Sequence, residues 1–319
     1  MLTQDIPAPR AWRRGEIGPK DWTVPFSPVC LAELDDVVTR LRRDPLPTLL
    51  LRPEQFSLAA CAEAVRQVRA QLRTGSGLAV IDRVPVERYS LEENRALMWL
   101  LGCLLGRVIP TKWDGTMLYD VKDTGKSLEY GVRRSVTNLE LTFHTDAAWM
   151  DSPPEHVGLY CLNRAEEGGV SRFVSLGSVH NELRRRHPDL LPRLYRAFPW
   201  DRQAEHAPDD PKFTRRAIFK IDGGQWSACY NERLIRTGAA LAAESLDAEA
   251  EEALAAMDAI VNAPDLHIEF VVERGQVQFI DNRHFAHSRT AFVNTPAPGQ
   301  ERHLIRLWTR EEGRLAFHA

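Results

Sequence analysis

The chain has 319 residues, 44% of them hydrophobic and 27% charged, with a formal net charge of −3. That length supports a sizeable core, and the near balance of charge excludes both the broad basic field of a nucleic-acid binder and an acidic tail. Cys30, Cys61, Cys103, Cys161 and Cys229 are odd in number and form no CxxC, and neither an apolar leader nor a run of about eighteen apolar residues occurs, so the expectation is a soluble cytoplasmic protein with a small-molecule partner.

Five prolines between residues 7 and 28 predict an extended N-terminal arm, about residues 1–30, laid over a single domain. The run LAACAEAVRQVRAQLR has helical periodicity and stops at Gly75 and Gly77, where LAVID begins a strand. Ser90 and Glu93 form a capping box ahead of the apolar helix NRALMWLLGCLLG. Residues 107–142 lack clean periodicity and read as a lid over a pocket. Short strands follow with turn signals between them, VGLYCL and then VSRFVSL, a spacing that indicates a β-sandwich or barrel.

Ser178 is placed to cap VHNELRRR, and DLLPRLYR reads as a second short helix after Pro188. Residues 199–214, rich in Pro and Asp, read as a surface loop, followed by the strands AIFKI and WSACY around Asp222-Gly223-Gly224. Asp247 opens the amphipathic helix AEAEEALAAMDAIVN. HIEFVVE and VQFID read as a hairpin about Gly275, and HLIRLWT as a last strand. No internal repeat or low-complexity tract appears.

The chemistry concentrates in Phe143-His144-Thr145-Asp146. On a β-strand, side chains two residues apart share a face, so His144 and Asp146 can share one metal ion. A third ligand from a distant strand completes a facial triad of two histidines and one carboxylate, the donor set of non-haem Fe(II) oxygenases. His284 and His287, just after Asp281-Asn282-Arg283, are both in place to supply it. Arg306 shares a strand face with Leu304 and Trp308, and an arginine among apolar residues needs an anion; the carboxylate of a cosubstrate would meet it. Arg289 and Arg302 read as surface or supporting cations, and Arg133 and Arg134 as packing or loop support.

Taken together, FHTD, the GGVS of Gly168 to Ser171, DNRHFAHSRTAF from Asp281 and RHLIRLWTR from Arg302 resemble, in order and spacing, the TauD/TfdA-like Fe(II)- and 2-oxoglutarate-dependent dioxygenases across roughly residues 75–312. The resemblance implies a mainly β fold with flanking helices, a double-stranded β-helix or jelly-roll. It implies His144, Asp146 and His287 as iron ligands, His287 being preferred by the spacing N-R-x-x-x-H. It also implies Ser171 and Arg306 as the residues that bind 2-oxoglutarate. Taurine-type members have Asn four residues before the first histidine, where this chain has Glu140. Asn138 and Trp149 are the candidate substrate contacts.

The implied reaction hydroxylates an unactivated C–H bond of a small substrate, such as an amino acid, another carboxylic acid or a natural-product intermediate. Fe(II) is the metal, 2-oxoglutarate and O2 are the cosubstrates, and succinate and CO2 are released. A carboxylate at Asp146 occupies the position a halide would need, which favours hydroxylation over halogenation. The competing expectations are a catalytically silent jelly-roll binding protein and a Zn-dependent hydrolase on the same ligands. No nucleic-acid or membrane partner is expected, and a homo-oligomer is compatible with the sequence.

Overall fold

The computed structural model describes every residue except Leu128, Glu312, Arg314, His318 and Ala319. Two sheets face one another. The larger has seven strands, in the order Thr23–Pro25, Leu78–Asp82, Val277–Asp281, His156–Asn163, His303–Arg310 and Arg107–Ile109, with Tyr119–Lys122 also paired to His303–Arg310. The smaller has four, in the order His267–Phe270, Ser171–Ser175, Phe285–Arg289 and Leu141–His144. Neighbours distant in sequence lie side by side in both sheets, the sandwich expected from the strand spacing and the jelly-roll implied by the resemblance.

Period-2 alternation divides the core in two. Ala79 and Ile81, Phe279, and Ile305 and Leu307 turn outward beneath the helices Ala59–Thr74 and Leu91–Leu105, while Leu78 and Val80, Ile280 and Trp308 turn inward toward the second sheet. The helices sit where their caps and patterns put them. Ser90 accepts from the Glu93 amide and Glu93 reaches back to the Ser90 amide, closing the box ahead of Leu91. Asp247 caps Ala248–Val261 by accepting from the Ala250 amide. No described helix is long and apolar enough to cross a membrane.

Several elements differ from the sequence expectation, each for a physical reason. The arm is extended only as far as residue 18. From there Pro19–Trp22 is a short helix, Thr23–Pro25 pairs in parallel with Leu78–Asp82, and Pro28 opens the helix Pro28–Arg43 behind the Ser27 cap, the one helical turn in which proline costs nothing. Residues 107–142 contain two strands of the large sheet as well as irregular chain. The helix expected behind Ser178 starts behind Ser175, whose hydroxyl accepts from the Ser178 amide; Ser178 lies inside the helix and its hydroxyl donates to the Trp12 carbonyl.

Within residues 199–214, Phe198–Asp201 pairs with Phe213–Arg216 and buries Trp200, so only the tip is a loop. His267–Phe270 and Val277–Asp281 are not a hairpin: the first pairs with Ser171–Ser175 in the small sheet and the second with His156–Asn163 in the large one. Gly275, at φ +87 and closely backed by the Val84 carbonyl, turns the chain from one sheet to the other. The helix Glu232–Leu241 was not anticipated, although Asn231 caps it and Leu234, Ile235, Gly238 and Ala239 have helical spacing on its buried face.

The arm is tied down at two points. Trp12 is 2% exposed, stacks on Phe285 and donates its indole N–H to the Ser76 carbonyl at 3.0 Å. Arg10 lies over the same phenyl ring and forms an ion pair with Asp281. Replacing Trp12 with Ala is therefore expected to cost about 3–5 kcal/mol of unfolding free energy, the range for a large aromatic lost from a packed site. Denaturant unfolding measures this; a loss below about 1 kcal/mol would mean the arm is not part of the cooperative core.

Candidate active site

His144 ends the edge strand of the small sheet, and His287 lies directly opposite it in the antiparallel pair Leu141–His144 with Phe285–Arg289. Directly opposed residues share a face, so the two imidazoles meet, with ring centroids 4.3 Å apart. Asp146 joins them differently from the strand alternation expected, because the strand stops at His144 and the chain turns. The Thr145 amide donates to the Tyr230 carbonyl at 2.7 Å, and Ala147 adopts φ +52, a left-handed conformation unusual for a residue with a Cβ. This turn brings Asp146 Oδ1 to 3.4 Å from His144 Nε2 and 3.9 Å from His287 Nε2.

One ligand atom from each of the three buried residues lies within 4.8 Å of the others. His144 donates its Nδ1 hydrogen to the Thr142 carbonyl at 2.9 Å, which leaves the Nε2 lone pair toward Asp146. Burial first, then His144, pushes the pKa of His287 down to about 3, so this imidazole is neutral and able to ligate. Burial acts to raise the pKa of Asp146, but Arg306 and the two imidazoles override it and hold the carboxyl well below the usual range. Two imidazoles and an ionised carboxylate converging on one point suit a divalent metal of the iron class.

The other carboxylate oxygen is already committed. Asp146 Oδ2 accepts from Trp308 Nε1 at 2.7 Å and from Arg306 Nη1 at 3.2 Å. Asn282 holds the backbone of the same residue: its Oδ1 accepts from the Asp146 amide at 2.7 Å, and its Nδ2 donates to the Asp146 and Pro154 carbonyls at 2.9 and 3.1 Å. Asn282 is fully buried. In the sequence it stood only as a spacer between Asp281 and Arg283; an amide following a strand, next to the third-ligand candidates, was the available signal.

His284 is occupied elsewhere. Its Nδ1 bonds to Asp281 Oδ2 at 2.8 Å and its Nε2 to the Trp226 carbonyl at 2.7 Å, away from the triad. A second group of possible ligands, Glu155, His156 and Glu311, also comes within 4.8 Å. There Glu155 is paired with Arg283 at 2.9 Å and Glu311 with Arg73 at 3.2 Å, so the carboxylates already have cations.

The remaining candidates separate. Trp149 is buried and, with Trp308 and Arg306, lines the cleft that opens over the triad. Asn138 is exposed and is not among the residues lining that cleft; its carbonyl accepts from the Phe292 amide. Glu140 is on the surface at 3.4 Å from Arg172. Ser171 is buried at the start of its strand, opposite Arg289 and two residues from Phe173, the cross-strand partner of His287.

Arg289 and Arg302 are not the surface cations that the sequence reading offered. Both are 6% exposed, the same as Arg306. Arg302 lies just before the strand His303–Arg310, an even number of residues from Arg306, and so turns inward with it. The two guanidinium groups flank Phe292, at 4.5 and 5.1 Å from its ring centroid. Arg289 donates to the Thr137 and Leu139 carbonyls, and neither arginine has a carboxylate partner among the described residues. Arg302 packs against Gly169, two residues before Ser171, and keeps a buried Nη1 without a hydrogen bond.

The family model for the taurine catabolism dioxygenase TauD, TfdA family, matches residues 42–308. FR-33289 synthase of Streptomyces rubellomurinus is 28% identical over 99% of this chain and 94% of its own. Uridine-5'-phosphate dioxygenase of a Streptomyces species is 30% identical over 48% of this chain and 59% of its own. Among solved structures, asparagine oxygenase with Fe(II), hydroxyasparagine and succinate superposes with a TM-score of 0.66 at 18% identity, covering 90% of this chain and 93% of the other, which is a likeness of fold.

Three substitutions test the ligand geometry. His287→Ala is expected to abolish stoichiometric iron binding, whereas His284→Ala keeps the iron. Asn282→Ala, which frees the Asp146 backbone, is expected to weaken iron binding about 10- to 100-fold, the usual effect of losing a group that orients a ligand. Iron content after anaerobic loading measures all three, and a His284→Ala protein without iron beside an iron-loaded His287→Ala protein would overturn the assignment.

Proposed function

Because the chain belongs to the TauD/TfdA family of dioxygenases, we propose that it uses Fe(II), 2-oxoglutarate and O2 to hydroxylate a C–H bond of a small polar organic substrate. The observation that carries this reading is the convergence of His144, Asp146 and His287 on one point, beside a cleft lined by His144, Asp146 and the buried Arg306. Iron held by these three residues, with 2-oxoglutarate as chelating reductant, would supply O2 activation and hydrogen abstraction, the cosubstrate being converted to succinate and CO2.

The chain's own residues divide the remaining work. His144, His287 and Asp146 would hold the metal through Nε2, Nε2 and Oδ1. Arg306, whose Nη1 is on Asp146 and whose Nε and Nη2 are buried without partners, offers donors to the chelating end of 2-oxoglutarate. The distal carboxylate lies two methylenes beyond the keto carbon. We assign it to Ser171 and Arg302, the buried hydroxyl and unpaired guanidinium beside Gly169. The resemblance gave that carboxylate to Arg306; Arg302 is equally buried and keeps an unbonded Nη1 beside Gly169. Trp149 and Trp308 cover apolar surface at the cleft wall and exclude water.

A zinc hydrolase could use the same three ligands, but it would leave the buried Arg302 and Arg289 with no anion to bind. The five unpaired cysteines fit a reducing cytoplasm. By their names, one relative acts on a nucleotide monophosphate and one structural neighbour holds an amino acid. Both are small polar molecules, the class proposed here.

Anaerobic addition of Fe(II) and 2-oxoglutarate is expected to give a weak visible charge-transfer band that His287→Ala lacks, and substrate is expected to release succinate only with O2. Arg302→Ala should raise the 2-oxoglutarate KM by about 100-fold or more, as losing one side of a buried ionic contact costs about 3–5 kcal/mol. No band from iron-loaded protein would remove the oxygenase reading, and an unchanged KM would return the distal carboxylate to Arg306.

A further inference from the structure

Four arginines line the cleft over the triad: Arg133, Arg134, Arg233 and Arg306. Two of them are matched. Arg133 forms an ion pair with Glu205 and donates to the Thr111 carbonyl, and Arg306 is bonded to Asp146. The other two have no carboxylate. Arg134 donates from Nη1 to the Glu140 carbonyl at 2.9 Å and forms no ion pair among the described residues. The guanidinium of Arg233 forms neither a hydrogen bond nor an ion pair among the described residues, yet it is only partly exposed. The acid nearest to it in influence, Asp201, is taken up by the Gln203 amide at 2.7 Å and the Thr237 hydroxyl at 3.1 Å.

The two unmatched cations also act on each other. Burial first, and then repulsion from Arg134, lowers the pKa of Arg233. Two guanidinium groups held near one another in a cleft, without an anion between them, are an unfavourable arrangement unless a ligand supplies the counter-charge. The backbone adds to the same polarity. Arg233 is in the first turn of the ten-residue helix Glu232–Leu241, where amide N–H groups have no intrahelical partner, and Asn231 caps only the Leu234 amide. The surplus is two positive charges beside an open face, which matches a doubly charged oxyanion better than a carboxylate.

We propose that Arg134 and Arg233 form a subsite for the headgroup of a phosphate- or phosphonate-bearing substrate, whose carbon chain then extends to the triad at the cleft base. This deepens the oxygenase reading and rests on it for the identity of the occupant as substrate. Arg233 was missed in the sequence because its helix was missed, and Arg134 was read as loop support.

The test uses full-length protein freed of metal by chelation, so that no iron competes for the anion, and follows the fluorescence of the cleft tryptophans, Trp149 and Trp308. The probes are n-propylphosphonate, n-propyl phosphate, propanesulfonate and butyrate. The phosphonate and the phosphate are expected to bind saturably, and whichever binds tighter names the source; sulfonate and butyrate should bind at least ten-fold more weakly. Arg233→Ala and Arg134→Ala should each weaken the tighter probe about 10- to 100-fold, the range for losing one charge-assisted contact. Arg233→Lys should recover part of the loss, and Arg302→Ala should leave the titration unchanged.

Equal binding by the wild type and a folded Arg134→Ala/Arg233→Ala variant overturns the proposal. So does a loss seen with Arg302→Ala instead, or butyrate binding as tightly as the phosphonate. The charge-transfer band is read separately on iron-loaded protein. A band without phosphonate binding removes the subsite alone, and phosphonate binding without a band removes the oxygenase reading while leaving the anion site in place.

Discussion

Everything at the centre of this molecule depends on how one carboxylate divides its two oxygens. Asp146 Oδ2 is consumed by the indole of Trp308 and the guanidinium of Arg306, and the backbone on either side is fixed by Asn282 and Tyr230. Only Oδ1 remains free to face the two imidazoles. A buried carboxylate is stable as an anion only with such donors, and the donors come from the last strand and from the segment after Val277–Asp281, both distant in sequence. The ligand set is therefore a product of the closed two-sheet fold as much as of the local His-x-Asp spacing.

Much of this was legible in the residues, and the parts that were legible share a property: they are encoded within about a dozen neighbouring positions. The capping box of Ser90 and Glu93, the alternation of Ile305, Arg306 and Leu307, and the apolar strands of both sheets belong to that class. His287 was ranked over His284 by the resemblance alone, and the cross-strand pairing with His144 supplies the physical reason.

What was not legible depends on partners. Nothing in HIEFVVERGQVQFID says that its two strands enter different sheets, because a tight turn and a sheet-to-sheet crossing look alike in local pattern. The burial of Arg302 depends on Gly169 and Phe292, which only the closed fold brings against it. The roles of Asn282 and Arg233 depend likewise on what the fold places opposite them.

The N-terminal arm has a consequence of its own. Trp12 stacks on Phe285 and Arg10 pairs with Asp281, so the arm braces both ends of the short segment that contains Asn282 and leads into His287. Gly77, at the far side of the same ring, is so close to Phe285 that no side chain fits there. The ring is thus wedged between the arm and the start of the strand Leu78–Asp82, and the third ligand stands two residues beyond the wedge. A protease that nicked the chain just after Trp12 would touch no ligand, yet it would loosen the seat of His287, making the extreme N-terminus a remote guard of the metal's grip.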